Sequence, residues 1–208
     1  MEYSDGDIIE FGSYPSEADG TEKPIKWVIL EKYNDGTALV ISKYPLDNVK
    51  YNEEYEDVTW ETCTIRKWLN NEFYNKAFRN ADKSLIVQSY LENKDNIGTF
   101  LDEEYHSIGG NSTYDKMFLL SKDEANKYFS SYNARKAYPT PYAKSSNSKE
   151  GNLHVYGGSC WWWLRSPGYD QLYAASVFPD GHVDSYGYRV YNVINAVRPA
   201  MKINLKNL

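Results

Sequence analysis

Three consecutive tryptophans, Trp161-Trp162-Trp163, form the most chemically distinctive run in the chain. Indole faces stack on sugars and bases, but the simpler reading is a scaffold role, with two rings in the core and one under a loop. Strand alternation would put Trp161 and Trp163 on one face and Trp162 on the other. His106, His154 and His182 show no ligand spacing with one another or with cysteine, and neither HExxH nor an Asp-rich calcium loop occurs. No resident metal is therefore expected, although a calcium site built from backbone carbonyls leaves no sequence trace. Ser159, His182 and Asp184 are the residue types of a hydrolytic triad, but no nucleophile elbow surrounds the serine. Neither GxxxxGK[ST] nor GxGxxG is present, so no nucleotide cofactor is expected. Cys63 and Cys160 are too few for a disulfide framework or a structural zinc site. Arg165 and Arg198 stand in apolar-leaning stretches, where a guanidinium is suited to tying irregular loops together.

Composition narrows the field further. The 208 residues carry a formal net charge of −6 and include 20 Tyr, 6 Trp and 7 Phe. An acidic chain lacks the basic footprint of a nucleic-acid binder. No apolar run is long enough to cross a bilayer, so no direct membrane insertion is expected. The opening Met1-Glu2-Tyr3-Ser4-Asp5 lacks the regions of a signal peptide. The expected location is the cytoplasm, or a particle assembled there, unless a leader has been removed. Lys and Glu are common elsewhere, yet none falls between Gly151 and Met201. Within that segment small or apolar residues form a frame: Ala174, Ala175, Val177, Gly181, Val183, Gly187 and Val190. Between them stand Tyr169, Asp170, Tyr173, Phe178, His182, Asp184, Ser185, Tyr186, Tyr188, Tyr191, Asn192 and Ile194. A frame packed inward with Tyr, Ser and Asn projecting outward has the composition of a paratope.

The elements that must position these residues read as α+β. Ile8–Phe11 is a short strand ending at Gly12, and Asn34-Asp35-Gly36 joins Lys26–Leu30 to Ala38–Ile41 as a hairpin. Ile65, Trp68, Leu69, Phe73 and Ala77 give one helical stripe, capped by Thr59 or Thr62. Residues 81–88 extend that helix or form another short element. Asn93 to Thr113 reads as a polar loop or irregular insertion, and Met117–Leu120 as a strand. Ser121 and Glu124 form a capping box for a helix running to about Phe129, which buries Ala125, Tyr128 and Phe129. Tyr132 to Asn152 is a long connection. Ala174–Phe178 and His182–Asp184 flank the turn Pro179-Asp180-Gly181, and Ala196–Leu205 is a closing strand.

At this point the motifs become recognisable. Trp162-Trp163-Leu164-Arg165-Ser166-Pro167-Gly168, Ala174-Ala175-Ser176-Val177, Asp180-Gly181-His182-Val183 and Ala196-Val197-Arg198-Pro199-Ala200 resemble the signature of a bacterial and phage domain. Upstream, Gly6–Gly12, Ile65–Asn70 and Phe118–Ser121 fit it too, so the resemblance spans nearly the whole chain. That domain is similar to the C-type-lectin-like fold shared with formylglycine-generating enzymes. The resemblance implies a single domain over residues 1–208, with short antiparallel sheets, two main helices and long irregular loops. Relatives serve as variable proteins of diversity-generating retroelements, in which a template Asn codon becomes NNC or NNT. Such codons never encode Lys, Glu, Gln, Met or Trp, and every interleaved residue above lies in the permitted set. Leu172, Ser176, Pro179, Arg189, Val193 and Asn195 are permitted as well, whereas Gln171 departs from it and must be a fixed position or come from a different template codon. The implied function is non-enzymatic binding of a protein or surface ligand by residues 151–201. Tyr169, Asp170, Tyr173, Phe178, His182, Asp184, Tyr186, Tyr188, Tyr191, Asn192 and Ile194 would form the face, held by Trp161, Trp162, Trp163, Arg165 and Arg198. The alternatives are a non-diversified lectin-like or structural module of a surface protein, or an oxidase of the formylglycine-generating type. That oxidase needs paired cysteines near the C-terminus, which this chain lacks.

Overall fold

The computed structural model describes residues 3–145, 148–151 and 153–208, so Met1, Glu2 and the Asn152 end of the long connection lie outside it. Along the chain the strands are β1 (Ile8–Pro15), β2 (Glu22–Lys32), β3 (Thr37–Ser42), β4 (Asp47–Asn48), β5 (Ile86–Val87), β6 (Ser89–Leu91), β7 (Asn96–Phe100) and β8 (Glu103–Ser107). They continue with β9 (Thr113–Asp115), β10 (Val155–Tyr156), β11 (Ser159–Pro167), β12 (Tyr173–Val177), β13 (Val183–Arg189), β14 (Asn195–Val197) and β15 (Ala200–Asn204). The helices are α1 (Thr64–Trp68), α2 (Tyr74–Ala77), α3 (Asn80–Lys83), α4 (Lys122–Tyr128), α5 (Tyr132–Arg135) and α6 (Pro141–Lys144).

The class is α+β, built mostly from short antiparallel sheets. One sheet runs β1-β2-β3-β15-β5, and a second runs β13-β12-β11-β14-β4, with β10 also paired to β11. Within the second sheet β11 and β14 are parallel. The hairpin at Asn34-Asp35-Gly36 forms because Gly36 adopts φ +87°, a region that residues with a Cβ rarely enter. β1 does not stop at Gly12. It continues to Pro15 through a register shift between Glu10 and Ser13, with Gly12 at φ +66° in the irregularity.

The apolar stripe Ile65, Trp68, Leu69, Phe73 and Ala77 is buried as one helical face. The helix is continuous from α1 to α2 through a π-helical turn, Leu69–Phe73. Its cap is Cys63 with no side-chain bond; the Thr62 hydroxyl is engaged with the Thr59 backbone instead. The Ser121/Glu124 capping box is present, with the Ser121 hydroxyl accepting from the Glu124 amide and Glu124 accepting from the Ser121 amide. Ala125 and Phe129 are buried as expected, while Tyr128 is only partly so.

Three segments differ from their sequence reading. Asn93–Thr113 is no irregular loop, because β7 and β8 pair in register within it. Its turn, Leu101-Asp102, has positive φ at both residues without glycine, so no turn signal marks it. Met117–Leu120 is buried but forms only one bridge, Phe118 to Ala200. The long connection holds α5 and α6, each capped by a side chain, Ser131 and Thr140.

The closing strand is two strands in two sheets. β14 ends at Val197 in the second sheet, and β15 begins at Ala200 in the first. Arg198 and Pro199 make the crossing. Arg198 is fully enclosed, donates from Nε to the Ser42 carbonyl at 3.0 Å, and lies 5.1 Å from the ring centroids of both Phe129 and Trp162. Burial lowers its pKa to about 10. A lysine keeps the charge but loses the flat contact with two rings and the directed bond to Ser42. Arg198→Lys is expected to lower stability by roughly 2–3 kcal/mol in urea denaturation; a loss near zero would show that the planar contact contributes nothing.

Candidate functional site

The segment from Gly168 to Asn195 separates into two sets of residues. Ala174, Ala175, Val177 and Val190 are fully buried, Gly181 and Gly187 are buried, and Val183 packs at the core edge. Both glycines are sterically required. A Cβ at Gly181 would lie 1.8 Å from the Tyr132 carbonyl oxygen, and one at Gly187 would lie 2.3 Å from that of Ala174, at φ +90° and +80°. Every interleaved residue keeps some exposure: His182 is exposed, and the other eleven are intermediate. Three residues in the permitted set, Ser176, Pro179 and Asn195, are buried and so sit with the frame.

A register break between β12 and β13 gives the face its shape. Ala174 pairs with Tyr188 and Ser176 with Asp184, so Ala175 alone opposes Ser185, Tyr186 and Gly187. The break lets Tyr186 turn toward the loop after β11, where its carbonyl accepts from the Tyr169 amide at 2.9 Å. The Tyr169 and Tyr186 rings then stack, with centroids 4.1 Å apart and planes 7° off parallel. Tyr173 meets Tyr169 edge-on at 4.5 Å. Burial and the neighbouring phenols push the Tyr169 hydroxyl well above its ordinary pKa, so it remains a donor. Arg189 links Tyr173 to Tyr191, donating from Nε and Nη1 to their hydroxyls at 3.1 Å.

Not all the predicted residues join this cluster. Phe178 lies past the other end of β12, where it contacts Trp161 and His182. His182 also meets Tyr132, ring to ring and through a 3.3 Å contact of Nδ1 with the hydroxyl. Tyr188 packs against the core edge. Asp170, Asp184 and Asn192 each accept the backbone amide two residues on, which fixes their own turns. Burial raises the Asp184 pKa, opposed by the Gly187 and Tyr186 amides.

Beneath the face, Trp162 and Trp163 are fully buried and donate from Nε1 to the carbonyls of Arg135 and Val49. Trp161 is half-buried against Phe178. Arg165 is buried, binds the Leu119 carbonyl and clasps Glu124 with both terminal nitrogens.

Several participants were invisible to the sequence reading because they come from the hairpin β7–β8. Phe100 lies 4.2 Å from Tyr186, and Tyr105 meets Tyr169 edge-on at 6.5 Å. The Asn96 amide bonds the carbonyls of Pro167, Gly168 and Ser185 at 2.8–3.1 Å, which fastens the hairpin to the face. Gln171, the one departure from the permitted set, is a clamp. Its amide nitrogen bonds the carbonyls of Val58 and Ile108, and its oxygen accepts from the Ile108 amide. Among the described residues no group of three or more His, Cys, Asp or Glu could hold a metal ion.

A family model described as Domain of unknown function (DUF6273) matches residues 35–205, from the first hairpin to the end of β15. Comparison with curated proteins and with solved structures finds no match.

Replacing Gln171 by Leu removes all three clamp bonds while keeping the side-chain volume. Amide exchange at Ile108 is expected to speed up more than about tenfold, with a stability loss of roughly 1–3 kcal/mol. Unchanged protection at Ile108 would show that the clamp does not hold that loop.

Proposed function

The chain belongs to the DUF6273 family, and on that premise we propose that it is a non-enzymatic binding module with a C-type-lectin-like fold. In this reading it is the variable protein of a diversity-generating retroelement, and its ligand is a protein or a surface ligand. The observation that carries the proposal is the division of residues 169–194. The frame residues Ala174, Ala175, Val177, Gly181, Gly187 and Val190 are buried, while the twelve interleaved residues all keep some exposure and all lie within the set that NNC and NNT codons encode. Tyr169, Tyr173 and Tyr186 supply a pre-packed aromatic surface, so little side-chain freedom is lost when a partner covers them. The pairing of the closing β15 with β3, inside the N-terminal sheet, agrees with a fold whose ends meet in one sheet.

The cysteines favour binding over oxidation. Both are free and fully buried. Burial pushes the Cys63 thiol up to about 12 and also raises the Cys160 thiol. Neither is poised as a thiolate nucleophile.

Two experiments test the proposal. Single substitutions across NNC-encoded residues at Tyr169, Asp170, Tyr173, His182, Asp184, Tyr191 and Asn192 are expected to shift stability by about 1 kcal/mol or less. The same set at Ala174, Ala175, Val177 and Val190 is expected to cost roughly 2–4 kcal/mol through overpacking or buried polar groups. Equal tolerance at both sets would overturn the division into frame and face. For diversification, the coding DNA should hold a nearby near-copy of this segment differing only at template adenines, beside a reverse-transcriptase gene. Purine-ending codons at the interleaved positions would refute it.

A further inference from the structure

The tyrosine face is bordered by side chains that lie outside residues 151–201. The hairpin β7–β8 sets Phe100 against Tyr186 at 4.2 Å, and its turn carries Leu101 and Asp102 just beyond. Leu101 is 82 % exposed and stands at φ +49°, a region that leucine rarely enters. Neither core packing nor backbone preference accounts for a leucine there. A second neighbour is the loop before Val58, which carries Tyr55. Tyr55 is 57 % exposed and meets Tyr191 edge-on at 5.0 Å. The loop is fastened to the face where the Asn52 amide donates to Val190 and the Val58 amide to Gln171.

Carboxylates stand among these apolar groups without cationic partners. Glu103 pairs with Phe100 across the hairpin, on the side that meets Tyr186, and Asp102 follows Leu101 in the turn. Glu54, Glu56 and Asp57 stand around Tyr55 in the chain. All five are exposed, and none lies within ion-pair distance of a described lysine, arginine or histidine. The nearby lysines Lys50 and Lys149 are taken by Glu53 and Glu150 instead. Within the face, Asp170 and Asp184 accept backbone amides and form no ion pair, while Arg189 is held by the Tyr173 and Tyr191 hydroxyls.

Exposed apolar side chains set among uncompensated negative charge suit a partner with the converse pattern. A metal ion does not fit, because the carboxylates come from separate segments and among the described residues no three ligating side chains converge. Nucleic acid and acidic membrane surfaces are repelled by the same charge. A small free cation has no apolar surface to cover Leu101 and Phe100. We propose that the partner of the tyrosine face is a protein surface with an apolar centre bordered by lysine and arginine. Tyr55, Phe100 and Leu101 make contacts that do not vary, and Glu54, Glu56, Asp57, Asp102 and Glu103 draw the partner in. The inference rests on the binding role proposed for the tyrosine face. Exchange of side chains within residues 151–201 then alters which surface fits, while the acidic border keeps the class of partner the same.

The test selects binders to the full chain from a displayed library of random dodecapeptides at low salt. Enriched peptides are expected to combine Lys or Arg with aromatic or branched apolar residues, and to shift the NMR signals of Phe100, Leu101, Tyr169 and Tyr186. Their association should slow about tenfold in about 0.5 M NaCl. Combining Glu54→Gln, Glu56→Gln, Asp57→Asn, Asp102→Asn and Glu103→Gln should slow it by a similar factor, about tenfold, with unchanged melting because the side chains are exposed. Leu101→Asn suits the positive φ, so the turn is kept, and should speed dissociation about fivefold. Enriched peptides that are neutral or acidic but still shift Tyr169 and Tyr186 would overturn the cationic partner and leave the binding face standing. Binding that survives Tyr169→Ala with Tyr186→Ala, or a library that yields no binder, would overturn both. Unchanged association after the five carboxylates are neutralised also overturns the proposal.

Discussion

Arg198 places a guanidinium where the two main sheets meet, and among the described residues no carboxylate lies within ion-pair distance of it. Its compensation is a carbonyl from β3 and two ring faces, Trp162 from β11 and Phe129 from the end of α4. That requirement fixes three elements at once, because each must present its group to one planar cation. The surrounding backbone closes the same seam: Ser42 donates to Pro199, and Leu46 donates to Val197. A chain that crosses between sheets in two residues has no slack, so the registers of β14 and β15 are set together. Proline suits this crossing because its position needs no amide donor.

Everything on the tyrosine face hangs from that seam. β14 pairs parallel to β11, and β11 carries β12 and β13 outward from it. Such a sheet is buried on both sides near the seam, which is why Trp162 and Trp163 are both fully enclosed although neighbours on a strand point to opposite faces. Toward β13 the covering thins. There the register break and Gly187 turn Tyr186 out of the ladder and onto Tyr169. The hairpin β7–β8 supports that stack from the side through Asn96 and Phe100.

What could be read in the sequence was local. The Asn34-Asp35-Gly36 turn, the Ser121/Glu124 capping box and the stripe from Ile65 to Ala77 each encode their structure within a few residues. The frame of Ala, Val and Gly was also legible, because burial and positive φ restrict those positions directly. Features set by distant partners were not. Leu101-Asp102 forms a turn without glycine and with a leucine at positive φ, in a hairpin anchored by Asn96 to carbonyls some seventy residues away. Phe118 looks like strand but finds a partner only at Ala200. The helix gave no sign of its π turn, since the stripe stays in phase across it. Among the face residues, composition marked which positions are exposed. It did not separate the Tyr169–Tyr173–Tyr186 stack from the Phe178–His182 group, because that division follows from the length of β12.

The absence of Lys and Glu from residues 151–201 has a physical consequence beyond any codon rule. Long charged side chains lose much rotamer freedom when a partner covers them, whereas a tyrosine has two torsions and a ring already held by its neighbours. Here the holding groups are other tyrosines, Arg189 and the hairpin, so the surface is ordered before any ligand arrives. Under the proposed binding role, stability and recognition would draw on different residues. The seam at Arg198, the two tryptophans and the glycines with positive φ fix the backbone, and Gln171 pins the loop beside it. The side chains between them can change without loosening that frame, provided that none carries its own share of the core. Tyr188 is the position where this separation is least complete, since its ring lies against the core edge while Arg189 beside it faces solvent. A module built this way can exchange its contact surface at small cost in folding, which is the property that a diversified binder requires.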